Sequence, residues 1–197
     1  MDGIGARCGW VTADPLYLDY HDREWGVPER DGARLWGQMV LESFQSGLSW
    51  LTILRKREGF RARFEGLDPA RVARWGEAEV AAALADPGIV RHRGKVEATV
   101  ANARAWVETG GADAFAALVW DVVDGVPVQR APATLADVPA RTAEGDALAR
   151  ALKGRGVRFV GPTTAYAFMQ AAGLTNDHVV PCPRCAEVAA LSPRAGP

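Results

Sequence analysis

The sequence lacks the features that mark a secreted or membrane-bound protein. Its three cysteines are an odd number without a ladder of bridges, which is typical of a reducing cytoplasm rather than an oxidising compartment. No apolar run approaches the roughly 20 residues that a membrane span needs. The N-terminus, Met1 to Gly5, has no apolar core like that of a signal peptide. We therefore expect a cytoplasmic protein that does not associate with membranes.

The chain also lacks an excess of positive charge. Lysine and arginine number 23 against 24 acidic residues, a net charge of -1, so a nucleic-acid partner would need a locally concentrated basic patch. Apolar residues make up 48% of 197 residues, which excludes a disordered chain and suffices for one compact core. We expect a single domain over residues 1–190 and a flexible tail over 191–197.

The hydrophobic periodicity predicts an all-α protein. The segment up to Pro28 has no clear period and reads as ordered loop with at most one short helix. Asp124 and Gly125 between valines are compatible with a hairpin turn, but the rest of 121–140 reads as loop. Ser49 suits a helix N-cap and Gly173 a helix end. Helices are predicted at 33–44, from 49 through 54, from 68, from 77, and at 95–107, 115–120, 146–153 and 162–172.

Two of these helices are joined by a short glycine-containing turn. Gly154 and Gly156 end the first helix, and Gly161 with Pro162 opens the second. Glycine lets a phosphate approach the backbone, and the start of a helix offers free N–H groups and the positive end of its dipole. Lysine and arginine surround the turn, and two further basic clusters favour a DNA-backbone surface, at 55–63 and 91–95. The competing interpretation is an ordinary helical connection with solvated cations.

The metal-binding residue types are concentrated at the two ends of the chain. Cys8 and His21 lie near the start, and His178, Cys182 and Cys185 lie near the end. A set of two cysteines and two histidines is typical of a closed structural zinc site. The spacing leaves Cys182 and Cys185 as alternatives for the fourth ligand, and an isolated redox pair or idle thiols as the competing interpretation.

A third group of residues suggests a pocket for a flat ligand. Glu42 interrupts an apolar helical stretch, and a carboxylate there must face a cleft or accept hydrogen bonds. Aromatic side chains are frequent nearby, and an enzyme acting on an extruded base stacks it on such faces. The alternatives are core packing for the aromatics and a surface position for Glu42. The candidate aromatics are Trp10, Tyr17, Tyr20, Trp25 and Trp50.

Together these motifs resemble the 3-methyladenine DNA glycosylase I family. The resemblance covers roughly residues 7–182 in unbroken order. The segments that carry it are RCGW at 7–10, DPLY at 14–17, YHDREWGVP at 20–28, LESFQSGLSW at 41–50, GIVRHRGK at 88–95, FVG through FMQ at 159–170 and NDHVV at 176–180.

The resemblance implies a helix–hairpin–helix glycosylase fold of two helical lobes, with the base pocket between them and the hairpin unit at 146–173. It implies one structural Zn²⁺ that ties segments 8–28 and 175–186 together, and it favours Cys182 over Cys185. The implied metal ligands are Cys8, His21, His178 and Cys182.

The resemblance also implies roles for the pocket residues. Glu42 would act as the catalytic and base-recognising carboxylate, Tyr20 would hydrogen-bond the extruded base, and Trp50 would stack on it. Trp10, Tyr17 and Trp25 would line the pocket. The implied DNA-binding residues are Gly47, Leu48, Arg91, Arg93, Lys95, Gly154, Arg155, Gly156, Arg158 and Gly161.

The implied activity is excision of 3-methyladenine from double-stranded DNA by a monomeric enzyme. Bifunctional relatives carry a lysine nucleophile where this chain has Thr163, so no lyase activity is expected. Asn176 stands where most of the wider superfamily has a catalytic aspartate, and Asp177 follows it. A cationic alkylated base already leaves easily, so little acid or base catalysis is needed. The alternatives are a preference for other alkylated purines, a DNA-damage-sensing scaffold and a zinc-binding interaction domain.

Overall fold

The structure, a computed structural model, describes residues 6–192 and confirms the all-α class. The predictions for the N-terminus and for all but the start of the 191–197 tail concern residues outside this range. The described helices are α1 Pro15–Arg23, α2 Gly32–Gln45, α3 Trp50–Arg63, α4 Pro69–Val72, α5 Glu77–Ala85, α6 Arg93–Thr109, α7 Ala112–Asp121, α8 Ala143–Gly154, α9 Pro162–Ala171 and α10 Pro183–Ala189.

Side chains that accept hydrogen bonds from the first turn start several of these helices. Ser49 accepts from the Thr52 N–H at the start of α3, and Asp31 accepts from the first turn of α2. Asp14 does the same for α1. These caps satisfy backbone donors that have no partner inside the helix. The predicted cap at Ser49 and the single short helix before Pro28 are confirmed.

Helix α2 forms the centre of the core. Leu35, Trp36, Met39 and Phe44 on this helix are fully buried. The helix packs against α3, α6, α7 and α9, while α6 also covers α4 and α5. One continuous apolar cluster runs from α2 to the end of α9. Because α2 packs against several helices, the directions of its buried side chains are fixed by packing.

The loop prediction for residues 121–140 is partly wrong. A short strand β1, Val128–Gln129, pairs in parallel with β2, Thr175–Asn176. A 3-10 turn follows at Leu135–Asp137. Asp124 and Gly125 do form a turn with positive φ, at 52° and 73°, but it starts no hairpin because the partner of β1 lies much later in the chain. Helix α10 was not predicted, because its one buried residue gives no apolar stripe.

The N-terminal segment docks against the end of α9. Gly173 has φ +71°, and a Cβ there would lie 2.5 Å from the Pro28 nitrogen. The Glu29 N–H donates to the Ala172 carbonyl. Only glycine allows both this φ and this close approach. The predicted helix end at Gly173 is confirmed, and the contact brings segment 8–28 beside segment 175–186.

Candidate base pocket and metal centre

A cavity of about 390 Å³ opens between α1, α2, α3 and α9. Its volume is within the range of small-molecule sites. Glu42 lies on α2, Trp50 is the first residue of α3, and Tyr20 lies on α1. Every residue that the sequence analysis assigned to a base pocket lines this one cavity: Trp10, Tyr17, Tyr20, Trp25, Glu42 and Trp50.

Glu42 is a buried carboxylate without a counter-charge. The side chain is 4% exposed, and no hydrogen bond or ion pair to its oxygens occurs within residues 6–192. Desolvation raises the pKa of Glu42 to about 8. The alternative of a surface carboxylate is therefore wrong. A buried acid that faces a cavity and lacks a partner is suited to a cationic ligand.

The aromatic side chains form a connected set around the carboxylate. The rings of Tyr20 and Trp50 lie 5.3 Å apart, and Trp10 lies 5.1 Å from both Tyr17 and Trp25. Burial, followed by the nearby Glu42 charge, raises the pKa of the Tyr20 hydroxyl well above its usual value. Tyr20 therefore stays neutral and can donate a hydrogen bond. The same aromatic side chains pack against one another and line the cavity. Core packing and ligand binding are therefore compatible interpretations of these residues.

Asp177 belongs to a hydrogen-bonded part of the same wall. Its carboxylate accepts hydrogen bonds from Gln170 Nε2 at 2.8 Å, from Thr175 Oγ1 at 3.2 Å and from the Tyr166 hydroxyl. Asn176 instead supports the loop, with its Nδ2 2.9 Å from both the Gln129 Oε1 and the Cys185 carbonyl. Sequence reasoning missed most of this wall because the elements meet only in three dimensions. The further lining residues are Gln45, Leu135, Val138, Ala167, Gln170 and Asp177.

A larger cavity of about 600 Å³ lies on the other side of Tyr20 and Trp50. Two ion pairs lie within its lining: Arg57 is 2.5 Å from Glu24, and Arg34 is 2.9 Å from Glu29. A ligand there would have to displace these ion pairs. The smaller aromatic cavity, with its unpaired carboxylate, is therefore the better candidate for a binding site.

Four buried side chains from the two ends of the described chain converge on one point. The candidate ligand atoms of Cys8, His21, His178 and Cys182 all lie within 4.8 Å of one another. The Cys8 Sγ is 3.5 Å from His178 Nδ1, and the Cys182 Sγ is 3.6 Å from His21 Nε2. Cys185 lies outside this group. The cluster could hold a metal ion, and the Cys182 alternative agrees with the geometry.

The remaining nitrogen of each histidine has its own partner. His21 Nδ1 lies 2.8 Å from the Asp22 carboxylate, which Arg7 holds from its other side. His178 Nε2 lies 3.1 Å from the Trp25 carbonyl. Because both partners only accept, these nitrogens carry the protons, and the inward nitrogens present lone pairs. This is how proteins orient histidines toward a metal.

The turn between α8 and α9 has an open backbone. Gly156 has φ +84°, and a Cβ on Gly154, Gly156 or Gly161 would meet nothing within 4 Å. Arg155 and Arg158 are exposed, and their side chains make no hydrogen bond or ion pair with residues 6–192. The turn is therefore accessible to a phosphate, and its guanidinium groups are not used elsewhere in the described chain.

The other predicted DNA-binding positions lie on neighbouring loops. Gly47 and Leu48 are exposed between α2 and α3, and Leu48 retains 39% exposure. Arg91 and Arg93 are exposed at the start of α6, where Arg93 pairs with Glu97 at 3.1 Å. All four positions are accessible on the surface, as DNA contacts must be.

Lys95 does not fit the prediction of direct DNA contact. The side chain is 7% exposed, and its Nζ donates to the Phe44 carbonyl at 2.9 Å and the Ser46 carbonyl at 2.7 Å. Its buried ammonium is committed to the protein backbone and cannot reach a phosphate in this arrangement.

The basic cluster at 55–63 is engaged within the protein. Four of its cations lie beside a carboxylate and Lys56 donates to a backbone carbonyl, so the cluster offers less free charge to DNA than the sequence suggested. The partners are Asp14 for Arg55, the Pro87 carbonyl for Lys56, Glu24 for Arg57, Glu58 for Arg61 and Asp86 for Arg63.

These features define an all-α protein with an aromatic, acidic ligand pocket beside a buried two-cysteine, two-histidine cluster. The chain belongs to the methyladenine glycosylase family, whose sequence profile matches residues 10–185. It is similar to DNA-3-methyladenine glycosylase 1 of Escherichia coli (strain K12), with 50% identity over 177 residues, 89% of this chain and 95% of that protein. A DNA-3-methyladenine glycosylase of Haemophilus influenzae is 43% identical over 179 residues, 90% of this chain and 96% of that one.

Solved structures agree with this assignment. A crystal structure of a 3-methyladenine DNA glycosylase I superimposes with a TM-score of 0.86 at 50% identity, covering 90% of this chain and 98% of the other. A Staphylococcus aureus structure that describes 3-methyladenine recognition gives a TM-score of 0.85 at 34% identity, covering 96% and 97%. No helix in the described part of the chain is both long and apolar enough to cross a bilayer.

Proposed function

We propose that this chain is a monofunctional DNA-3-methyladenine glycosylase, which hydrolyses the bond between the alkylated base and its sugar and so starts base excision repair. The observation that carries the proposal is Glu42, a buried carboxylate without a counter-charge in an aromatic pocket. The similarity to glycosylases named for 3-methyladenine supports the same substrate.

The chemistry of the substrate explains the composition of the pocket. Methylation at N3 gives adenine a positive charge while it is attached to the sugar, and the charge makes it a good leaving group. Aromatic faces attract a cation, and a carboxylate in a poorly solvated site attracts it more strongly than in water. The enzyme therefore gains rate by binding the extruded base and exposing the bond to water.

Specific side chains of the pocket take specific roles in this proposal. Glu42 accepts a hydrogen bond from the base and balances its charge. The neutral Tyr20 hydroxyl hydrogen-bonds the base edge, and Trp50 stacks on the ring. Trp10, Tyr17 and Trp25 complete the aromatic wall.

Water completes the reaction by hydrolysis. The C1′–N9 bond breaks and the base leaves with the bonding electrons, which neutralises its charge. A water oxygen adds to C1′ and releases one proton to solvent. Thr163 is exposed in the first turn of α9, where its hydroxyl cannot form the Schiff base that strand cleavage by a lyase needs. The DNA strand therefore stays intact.

We infer that double-stranded DNA lies across the three exposed loops of one face, with the protein as a monomer. Residues 146–173 would act as a helix–hairpin–helix unit in which Gly154, Gly156 and Gly161 let a phosphate approach the backbone. Arg155 and Arg158 would add charge there, and Arg91 with Arg93 would extend the surface. Gly47 and Leu48 would approach the gap left by the extruded nucleotide. The unit would form part of a single domain of two helical lobes at 1–190.

We also propose that the cluster of Cys8, His21, His178 and Cys182 binds one structural Zn²⁺. Tetrahedral Zn²⁺ with usual bond lengths separates sulfur and nitrogen ligands by about 3.6 Å, and the cluster has Sγ to nitrogen distances of 3.5, 3.6 and 3.8 Å. The ion would supply cross-linking between the two chain ends rather than chemistry, because four protein ligands leave no site for water. The three cysteines form no disulfide, which fits a cytoplasmic protein.

Release of free base from methylated DNA tests the proposed activity. Wild-type protein is expected to release 3-methyladenine, identified by chromatography, while a labelled strand remains uncut on a denaturing gel. Glu42→Gln keeps the side-chain shape and is expected to lose at least tenfold in kcat/KM, because the carboxylate that attracts the cationic base is removed. A panel of other alkylated purines establishes the preference. Folded, metal-loaded wild-type protein that releases no base would exclude the enzyme and favour a damage-sensing DNA binder.

A further inference from the structure

Helix α6 touches both loops that flank the proposed DNA surface, and it does so through buried polar side chains. The first is Lys95, whose ammonium group donates to the Phe44 and Ser46 carbonyls. Phe44 is in the last turn of α2, and Ser46 follows its end. A cation at the C-terminal end of a helix satisfies unpaired carbonyls and interacts favourably with the helix dipole. Lys95 therefore fixes the point at which α2 leaves the core.

The segment that begins at this point is the loop 46–49. It is exposed throughout, and Gly47 has φ +85°. The loop connects Glu42 on α2 to Trp50 on α3, so it borders the mouth of the base pocket. An exposed loop of small residues with one apolar side chain, Leu48, has little packing of its own to hold it. Two bonds to Gln45 hold the loop at Leu48, whose N–H donates to the Gln45 carbonyl at 2.7 Å and whose carbonyl accepts from Gln45 Nε2 at 2.9 Å. Lys95 holds the first residue of the loop, Ser46, and so fixes the loop relative to α6.

The second polar contact is made by Asn102, two turns further along α6. Asn102 is 2% exposed. Its Oδ1 accepts from the Arg158 N–H at 2.7 Å, and its Nδ2 donates to the Arg158 carbonyl at 3.0 Å. One amide side chain thus satisfies both backbone groups of the residue at the tip of the 155–161 turn. These bonds fix the backbone of the turn rather than its side chains.

The start of α6 also lies against the same turn. The rings of His92 and Phe159 are 6.2 Å apart in an edge contact. A Cβ on Gly94 would come within 3.3 Å of the Phe159 ring. Phe159 has φ +58° and remains 47% exposed. The turn is therefore held at two points along α6, and the loop 46–49 at a third point between them.

We propose that Lys95 and Asn102 are positioning residues, through which α6 holds the loop 46–49 and the turn 155–161 in the one relative placement that damaged duplex DNA requires. Neither side chain touches DNA. Lys95 acts through Leu48 and its loop, and Asn102 acts through the backbone at Arg158. The proposal rests on the proposed glycosylase function, because that function identifies the two loops as DNA contacts.

Lys95 and Asn102 are expected to affect the binding of different forms of DNA. The turn grips one strand by its backbone, so Asn102 contributes to single-stranded and duplex binding alike. The loop 46–49 fills space only where a base has left a stack between paired strands. Lys95 therefore contributes to duplex binding and leaves single-stranded binding unchanged. A general loss of folding would lower both forms of binding equally for both variants.

The role of Lys95 is tested by measuring binding to a duplex and to a single strand, each carrying a stable abasic-site analogue. Lys95→Met is expected to weaken duplex binding roughly tenfold, as expected when charge-assisted hydrogen bonds to an ordered loop are lost. Single-stranded binding and binding of free 3-methyladenine, followed by tryptophan fluorescence, are expected to stay unchanged. Lys95→Gln, which retains one donor, is expected to lie between Lys95→Met and wild type.

Lys56→Met is the matched control, because Lys56 also donates to a backbone carbonyl, at Pro87, but on a different surface. It is expected to bind both DNA forms like the wild type. Two results would overturn the role of Lys95. One is duplex binding by Lys95→Met as strong as that of Lys56→Met. The other is a loss of single-strand binding by Lys95→Met as large as its loss of duplex binding.

Asn102→Leu tests the role of Asn102, and Thr99→Val is its control. Thr99 is buried on the same helix, but its hydroxyl bonds only to the Lys95 carbonyl within α6. Asn102→Leu is expected to weaken both DNA forms several-fold and to raise KM for methylated DNA, with kcat at saturation unchanged. A fall in kcat without a change in KM would overturn the role of Asn102. If wild type binds the abasic duplex but releases no base, the proposed function fails while the positioning roles are still tested by binding.

Discussion

His178 and Trp25 are joined by two contacts. Their rings lie 4.5 Å apart at 78°, and the imidazole Nε2 is 3.1 Å from the Trp25 carbonyl. His178 directs its other nitrogen into the cysteine–histidine cluster, while Trp25 lines the base pocket. The cysteine–histidine cluster and the pocket therefore share a wall, so a change at the first is expected to reach the second.

Loss of a metal ligand should lower stability and loosen the pocket together. Cys182→Ser is expected to lose its zinc, measured by elemental analysis, and to melt about 10 °C lower, because a cross-link of a few kcal/mol is removed. Free 3-methyladenine is expected to bind more weakly. Cys185→Ser is the control, since Cys185 lies outside the cluster. Full zinc occupancy in Cys182→Ser would contradict the ligand set.

The pKa of Glu42 predicts how activity depends on pH. The free enzyme holds this carboxyl protonated up to a pKa of about 8, and only the ionised form attracts a cationic base. We expect kcat/KM to rise with pH and to level off above that pKa. A bound cation favours the carboxylate, so the corresponding rise in kcat should occur at lower pH. Rate measurements across pH 5–10 on methylated DNA check this, and Glu42→Gln should lack the rising limb.

The same group predicts how stability depends on pH. Unfolding lowers the pKa of Glu42 from about 8 toward its usual 4.5, so between these values the folded state binds the extra proton. The free energy of unfolding therefore falls as pH rises, by at most about 1.4 kcal/mol per pH unit. Glu42→Gln should be more stable than wild type at pH 9, with the advantage absent at pH 4. Denaturant titrations at both pH values measure it; a constant difference would contradict the burial of an uncompensated carboxylate.

The turn between α8 and α9 predicts a salt effect. Arg155→Ala is expected to weaken binding to undamaged and damaged duplexes alike and to lower the slope of log K against log salt by about one, the effect of one lost phosphate contact. Arg74→Ala removes the same charge from an exposed site after α4 and should leave the slope unchanged. An effect confined to damaged DNA would place Arg155 at the lesion rather than on the backbone.

Local features of the chain were predictable from the sequence. Ser49 caps α3 and Gly173 ends α9 because each acts through its own backbone and nearest neighbours. Non-local pairing was not predictable: Val128 meets Thr175 in a strand pair of two residues, too short for an alternating pattern. Glu42 was a pocket candidate because an acid inside an apolar helical stretch must face a cleft or a partner, whereas the roles of the aromatic side chains around it were implied by the family resemblance.

Charge runs were the weakest guide. Lys95 stands in a basic segment, yet it lies on the same face of α6 as the buried Thr99 and Asn102, one and two turns later, so its side chain is directed into the interior. Leu135 and Val138 reach the pocket from a segment without periodicity, where the sequence gives no direction for a side chain. The direction of such side chains depends on the elements that fold beside them.

The internal pairing of the cations on α3 affects how the protein would search a genome. A surface whose charges are already balanced has little attraction for DNA, so encounters on that side end quickly. Productive landings would be confined to the face that carries Arg91, Arg155 and Arg158. If DNA binds through that face, we expect brief encounters in one orientation rather than prolonged sliding along undamaged DNA.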